Sequence, residues 1–165
     1  MKSLNKFLQL SWLERWLFVQ ALLLLPLTVM ALRIVGFARW QAVLARFAPL
    51  CELLTPDSDK LDELPTSDAG SVIHRIRRTA WIMRAARRRV PLNVTCLPQS
   101  LTLWWLLRRQ GIASALRIGV RKEGGLLEAH AWVECGGIIV NGGSDAHRRF
   151  AAFESAIAPR EVISL

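Results

Sequence analysis

The chain has 165 residues, 52% of them hydrophobic and 21% charged, which is enough to bury a core and too apolar for a disordered protein. That length bounds it to one domain, or one domain with a helical extension. A net charge of +9, carried mostly by arginine, suits an anionic membrane surface, an acidic peptide or protein partner, nucleic acid, or simply a basic exterior.

Residues 8–47 read as helical, with an interruption expected near Pro26 or Gly36. Trp12, Trp16, Val19, Leu22 and Leu23 recur at helical spacing. Residues 16–32 carry no charge and follow Lys2 and Lys6, so a buried helix, a membrane-associated helix and a cleaved signal peptide all stay open. Glu14 and Arg15 just upstream, and the lack of an obvious small-residue cleavage site, speak against the signal peptide. The shortness of the run, with Gln20 and Pro26 inside it and Arg33 closing it, speaks against a span. In residues 38–47, Trp40, Val43, Leu44 and Phe47 form one stripe. Residues 55–70 are polar, with Pro56, Pro65, Gly70 and five acidic residues, and read as a linker. The expected organisation is a hydrophobic helical region over 1–55, a polar linker over 56–70 and a catalytic domain over 71–165.

Residues 72–89 form a further expected helix. Val72, Ile76, Ala80, Ile82, Met83 and Ala86 supply its apolar side, arginines crowd the other positions, and Pro91 ends it. Cys96 opens the next, amphipathic helix, with Thr95 as its cap, Pro98 in its first turn and Gly111 as its stop. The pattern then turns to period two: Leu116, Ile118 and Val120 alternate with polar or small residues, and Gly124-Gly125 marks a turn. Residues 126–135 read as a strand, Gly136-Gly137 as a tight turn and residues 138–141 as the returning strand. The tail, residues 150–165, is weakly patterned.

Three cysteines, Cys51, Cys96 and Cys135, are odd in number and lack paired spacing. They do not describe a disulfide framework and fit a reducing cytoplasm. Cys96 at a helix start lies at the positive end of the helix dipole, and a basic run precedes it; both favour thiolate. His130, flanked by Ala129 and Ala131, leaves room for that helix or for a substrate, and would supply the base. Taken singly, Cys96 also reads as a buried structural thiol and His130 as a satisfied core histidine. By alternation His130, Trp132 and Glu134 share one face of their strand, while Ala131, Val133 and Cys135 share the other. A two-residue turn pairs Cys135 with Ile138 and sets Asn141 and Asp145 diagonal to His130, where either would orient the imidazole. A longer turn would exchange the faces. Cys96, His130, Cys135 and His147 lack the spacing of a zinc site, and no glycine-rich phosphate loop occurs. Trp12, Trp16, Trp40 and Trp81 are expected in the core rather than stacked on nucleic acid.

Arg88-Arg89-Val90-Pro91, Thr95-Cys96-Leu97-Pro98-Gln99-Ser100-Leu101, Leu106-Leu107-Arg108-Arg109-Gln110-Gly111-Ile112, Ile118-Gly119-Val120 and Ala129-His130-Ala131-Trp132-Val133-Glu134, in that order, resemble the lasso-peptide leader peptidases. These are transglutaminase-like cysteine proteases, the protease half of a split B protein. Glu14-Arg15-Trp16-Leu17 before a leucine-rich run also looks like this family. The resemblance implies an α+β fold with a papain-like, transglutaminase-like core. In it the cysteine helix packs on an antiparallel sheet, behind a hydrophobic N-terminal helical extension. It implies removal of the leader from a ribosomally made precursor peptide, after which a separate ATP-dependent macrolactam synthetase closes the ring. Cys96 would be the nucleophile and His130 the base and then the acid, with the Cys96 backbone N–H in the oxyanion hole. The family's aspartate usually follows an asparagine on the returning strand; here Gly142 follows Asn141, so Asp145 is preferred as third residue, with Asn141 the alternative.

The resemblance implies no metal and no cofactor. Fused members carry a leader-recognition domain, and the hydrophobic N-terminus here does not look like one. A separate recognition protein is therefore expected, and the arginine-rich helix over residues 74–89 is a candidate docking surface for it or for the peptide. Nucleic acid is not an expected partner. The expected location is cytoplasmic, with peripheral attachment to the inner face of the membrane through the N-terminal helices left open. A transglutaminase or amidase on the same fold, and a non-catalytic membrane-associated scaffold, are the competing readings.

Overall fold

The computed structural model describes residues 11–48, 66–143 and 149–152. Among them the chain forms α1 (Trp12–Ile34), α2 (Phe37–Phe47), α3 (Thr66–Arg87), α4 (Cys96–Arg109), β1 (Ala115–Glu123), β2 (Leu126–Cys135), β3 (Ile138–Ile139) and β4 (Ala151–Ala152). The strands make one antiparallel sheet in the order β3-β2-β1-β4. This is the expected α+β arrangement, with the cysteine helix packed on the sheet.

α1 starts on a capping box. The Ser11 hydroxyl accepts the Glu14 N–H at 3.3 Å, and the Glu14 carboxylate accepts the Ser11 N–H at 2.8 Å. The second Glu14 oxygen takes the Arg78 guanidinium of α3, so one carboxylate both caps α1 and ties it to α3. Pro26 sits inside α1 without ending it; the break comes at Gly36, whose φ of 82° and ψ of 170° suit only glycine. α3 begins at Thr66, so residues 66–70 of the expected linker are helical, and its residues 56–65 lie outside the described residues.

α4 is the centre of the molecule. Every residue from Pro98 to Leu107 is buried, which differs from the amphipathic helix expected. The reason is its place: α1 and α3 pack on one side of it and the sheet on the other, so no face meets water. Leu101, Leu103, Leu106 and Leu107 join Phe18, Leu25 and Val29 of α1 and Val133 and Cys135 of β2 in one core. Thr95 holds the cap position without a side-chain hydrogen bond. The stop is a Schellman turn at Gly111, φ 73°: Ile112 N–H reaches Leu107 C=O and Gly111 N–H reaches Arg108 C=O.

The two glycine pairs make the expected turns. Glu123 pairs with Leu126 across Gly124-Gly125, and Cys135 with Ile138 across Gly136-Gly137, all four glycines having positive φ. β3 is shorter than expected, ending at Ile139, because Asn141 turns its side chain back into the ladder. β4 was not expected; it pairs with β1 at Gly119 and Val120.

The tryptophans divide. Trp40 is half-buried, its indole N–H on the Thr28 hydroxyl at 3.2 Å. Trp12 and Trp16, expected in the core, are 80% and 56% exposed, because α1 turns its other face inward; Trp81 lies at the surface under the Arg78 guanidinium. On α2 the buried positions are Gln41 and Leu44, so Val43 and Phe47 face outward rather than sharing the core with Leu44.

Leu103→Ala should destabilise the fold by about 2–5 kcal/mol in urea titrations, since the site is wholly enclosed. Arg78 holds the Glu14 carboxyl below its ordinary 4.5. The stabilisation this shift represents is therefore present above pH 4.5 and is lost as pH falls through the lower folded value. Glu14→Gln should cost at most about 1 kcal/mol near neutrality, the pair being partly exposed, and the difference from wild type should vanish in acid.

Candidate active site

Cys96 is the first residue of α4, half-buried, where the helix's leading N–H groups have no carbonyl within the helix to bond. Such a position favours an oxyanion formed beside it. Just upstream, the Arg87 guanidinium donates to the Val94 carbonyl at 3.1 Å and brings a cation close to the start of the helix.

One turn further along, Ser100 makes the junction between helix and sheet. Its hydroxyl donates to the Ala131 carbonyl at 2.9 Å and accepts from the Asn141 amide at 2.8 Å. The Asn141 side-chain oxygen accepts the Val133 N–H at 2.9 Å. α4, β2 and the chain leaving β3 are thus bound to one another through two side chains. Ala131, wholly covered, is small enough to let the helix approach. Cys96 therefore stands one helical turn from a hydroxyl bonded to the residue that follows His130.

His130 projects from the sheet face opposite Ala131 and Val133. Its ring is stacked on Phe150 at 5.1 Å between centroids and lies 6.2 Å from the Trp132 ring. Gly119 is directly opposite in β1, where an added Cβ would meet Trp132 at 2.9 Å and Phe150 at 3.0 Å. Gly142 closes the other side: a Cβ there would lie 2.7 Å from His130 Nε2 and 3.2 Å from the Trp132 Cβ. Nε2 is buried and has no hydrogen-bond partner among the described residues, the Cys96 thiol and the Asn141 amide included. Trp132 is fully buried on this face and donates its indole N–H to Glu134 at 2.7 Å, which also takes the Arg117 guanidinium at 3.0 Å.

The structure thus brings Asn141 to the junction of α4 and β2, one helical turn from Cys96, while His130 projects from the other face of β2. It turns the Asn141 amide towards Ser100 and Val133 rather than towards the imidazole. Asp145, His147 and Cys51 lie outside the described residues. Cys135 is buried against the core; burial, and then the neighbouring Glu134 charge, push its thiol up to about 12, so it stays protonated. Ser100, Phe150 and the close fit of Gly142 were not picked out from the sequence. A serine four residues after Cys96, on an otherwise apolar stretch of helix, was the available sign of the first.

Iodoacetamide at pH 8 should modify Cys96 in the native protein and leave Cys135 untouched until denaturant is added, as peptide mapping would show. Ser100→Ala should cost about 1–3 kcal/mol in denaturant titrations, because it strands the buried Ala131 carbonyl and the Asn141 amide.

The helix-borne cysteine, the following antiparallel strands and the histidine on the second of them agree with the comparison with known families. The family model of the transglutaminase-like superfamily matches residues 31–155, well over half of the chain. No curated protein and no solved structure matches. The superfamily contains cysteine peptidases and acyl transferases. Its match begins within α1 and takes in α2, α3, the Cys96 helix and all four strands, so the chain belongs to the transglutaminase-like superfamily.

Proposed function

We propose that the protein is a cysteine peptidase that removes the leader from a lasso precursor peptide before macrolactam formation. The observation that carries the reading is the junction at Ser100, which sets a cysteine at a helix N-terminus one turn from the strand bearing His130. The order of motifs around both residues, similar to the leader peptidases, supplies the finer assignment.

In this reading the Cys96 thiolate attacks the carbonyl carbon at the leader–core bond, and the N–H groups opening α4 take the oxyanion. Collapse breaks the C–N bond, His130 protonates the departing core amine, and a thioester to the leader remains. Water, deprotonated by His130, then releases the leader acid and regenerates the thiol. Asp145 would hold the imidazole in its working tautomer. The precursor would be delivered by a separate recognition protein, with the arginine-rich face of α3 as docking surface, and the core handed to the ATP-dependent synthetase.

The free margin of β2 suits a peptide substrate. Val133 and Ala131 direct their carbonyls to the side of β3 and α4, where Val140 N–H and the Ser100 hydroxyl meet them. By the same alternation Ala129 and Leu127 present their N–H and C=O on that margin, and no described strand pairs with them there. Residues 126–129 are exposed, so an extended chain is free to add as a strand beside His130.

The decisive experiment combines the protein, the precursor encoded beside it and the recognition protein, and follows peptide masses. Wild type should release a leader-sized fragment, and Cys96→Ala and His130→Ala should each slow release by about 10³-fold or more while remaining folded. Full activity in Cys96→Ala would overturn the peptidase reading, and an amine adduct on the leader when amine is added would move it to acyl transfer. Asp145→Ala and Asn141→Ala compare the two candidates for the third residue. Leu127→Pro removes one outward N–H without touching the β1 ladder. It should raise KM about 10-fold with kcat little changed, the loss of about one substrate hydrogen bond.

A further inference from the structure

α1 is apolar on two opposite faces, and only one is used by the fold. Phe18, Ala21, Leu25 and Val29 are between 0% and 7% exposed against α3 and α4. Trp12, Trp16, Val19, Leu23, Leu27, Met30 and Ile34, recurring at three- and four-residue steps, are between 39% and 80% exposed. They form one stripe along the whole helix. Val35, Val43 and Phe47 continue it at 41%, 42% and 67% exposed. A stripe of this length exceeds the scattered apolar residues of an ordinary surface and calls for a partner.

The charges beside it are of one sign. Arg15 and Arg33 flank the stripe near its two ends, and Arg39 and Arg46 stand exposed on α2 beside Val43 and Phe47. Glu14 is the only acidic residue of α1 and α2, and it faces inward to Arg78. A second copy of the chain, docked by a two-fold axis, would set this arginine border against itself. An anionic bilayer surface meets both features: apolar side chains enter between the headgroups, indoles sit at the interface, and guanidinium groups reach the lipid phosphates.

α1 is also long and apolar enough to cross a bilayer, with a mean hydropathy of 2.1 over its most apolar window. Its inner face argues for another orientation. Crossing would pull Leu25 and Val29 out of the core and break the Thr28 hydroxyl from Trp40 and Thr102. We infer that the protein docks on anionic membranes with α1 lying in the plane of the interface, its outer stripe immersed and its inner face still carrying the Cys96 helix. This anchoring stands whether or not the peptidase reading holds.

Flotation of the full chain with preformed vesicles tests it. Vesicles of phosphatidylcholine with phosphatidylglycerol should carry the protein, and pure phosphatidylcholine should carry much less. Leu23→Glu with Leu27→Glu, both at exposed positions, should lower partitioning by about 100-fold with unchanged circular dichroism. Arg39→Glu with Arg46→Glu should abolish the preference for the anionic lipid. Tags at either terminus of bound protein should both be open to added protease, since an in-plane helix shields neither. No flotation with the anionic vesicles, or flotation unaffected by the two glutamates, would overturn the proposal. So would protection of one tag, which indicates a span, or a wild-type dimer in sedimentation that the glutamates convert to monomer.

Discussion

The arrangement depends on the close approach of α4 to β2 at Ser100. A helix and a strand that meet here leave a strand carbonyl and a strand N–H without their usual ladder partners. Both are buried, and either left unpaired would cost about 1–3 kcal/mol. Ser100 and Asn141 satisfy them and each other. The small Ala131 makes room for the contact, and Asn141 ends β3 early to reach it. The same contact sets the height of Cys96 above the strand that carries His130.

That joint holds only if α4 is rigid, and its rigidity comes from being enclosed. The sheet covers one side, and α1 and α3 cover the other. The interface is mostly leucine, with Thr28 and Thr102 hydroxyls bonded to one another at 3.4 Å inside it. The N-terminal helices thus form one wall of the support for the helix that Cys96 opens. Movement of α1 would be felt at Cys96 through Leu101 and Leu103. An outer face on lipid and an inner face on the cysteine helix would couple location to the geometry of the site.

The histidine is held by shape more than by hydrogen bonds. Phe150, Trp132, Gly119 and Gly142 surround the ring, and Nε2 has no polar partner among the described residues. Gly142 follows Asn141, where the resemblance to leader peptidases would imply an aspartate. Its φ of 98° and the 2.7 Å approach of a notional Cβ to Nε2 leave no space for a side chain with this backbone. This loop therefore passes over the imidazole by its backbone, for a steric reason.

Local chemistry was legible in the sequence. Gly36, Gly111 and the two glycine pairs are set where positive φ is required, and period-two alternation located β1 and β2 because a sheet with one covered face leaves that trace. Cys96 at a helix start and His130 on the second strand were readable for the same reason, since both are statements about neighbours along the chain. Periodicity could say that α1 is apolar, but both of its faces are, so only packing decided which side holds Leu25 and which leaves Trp12 in the open. Nor could it show α4 enclosed on every side, the Ser100 joint across 31 and 41 residues of chain, or the rings closing on His130. Those contacts join residues distant in sequence, and only the folded chain brings them together.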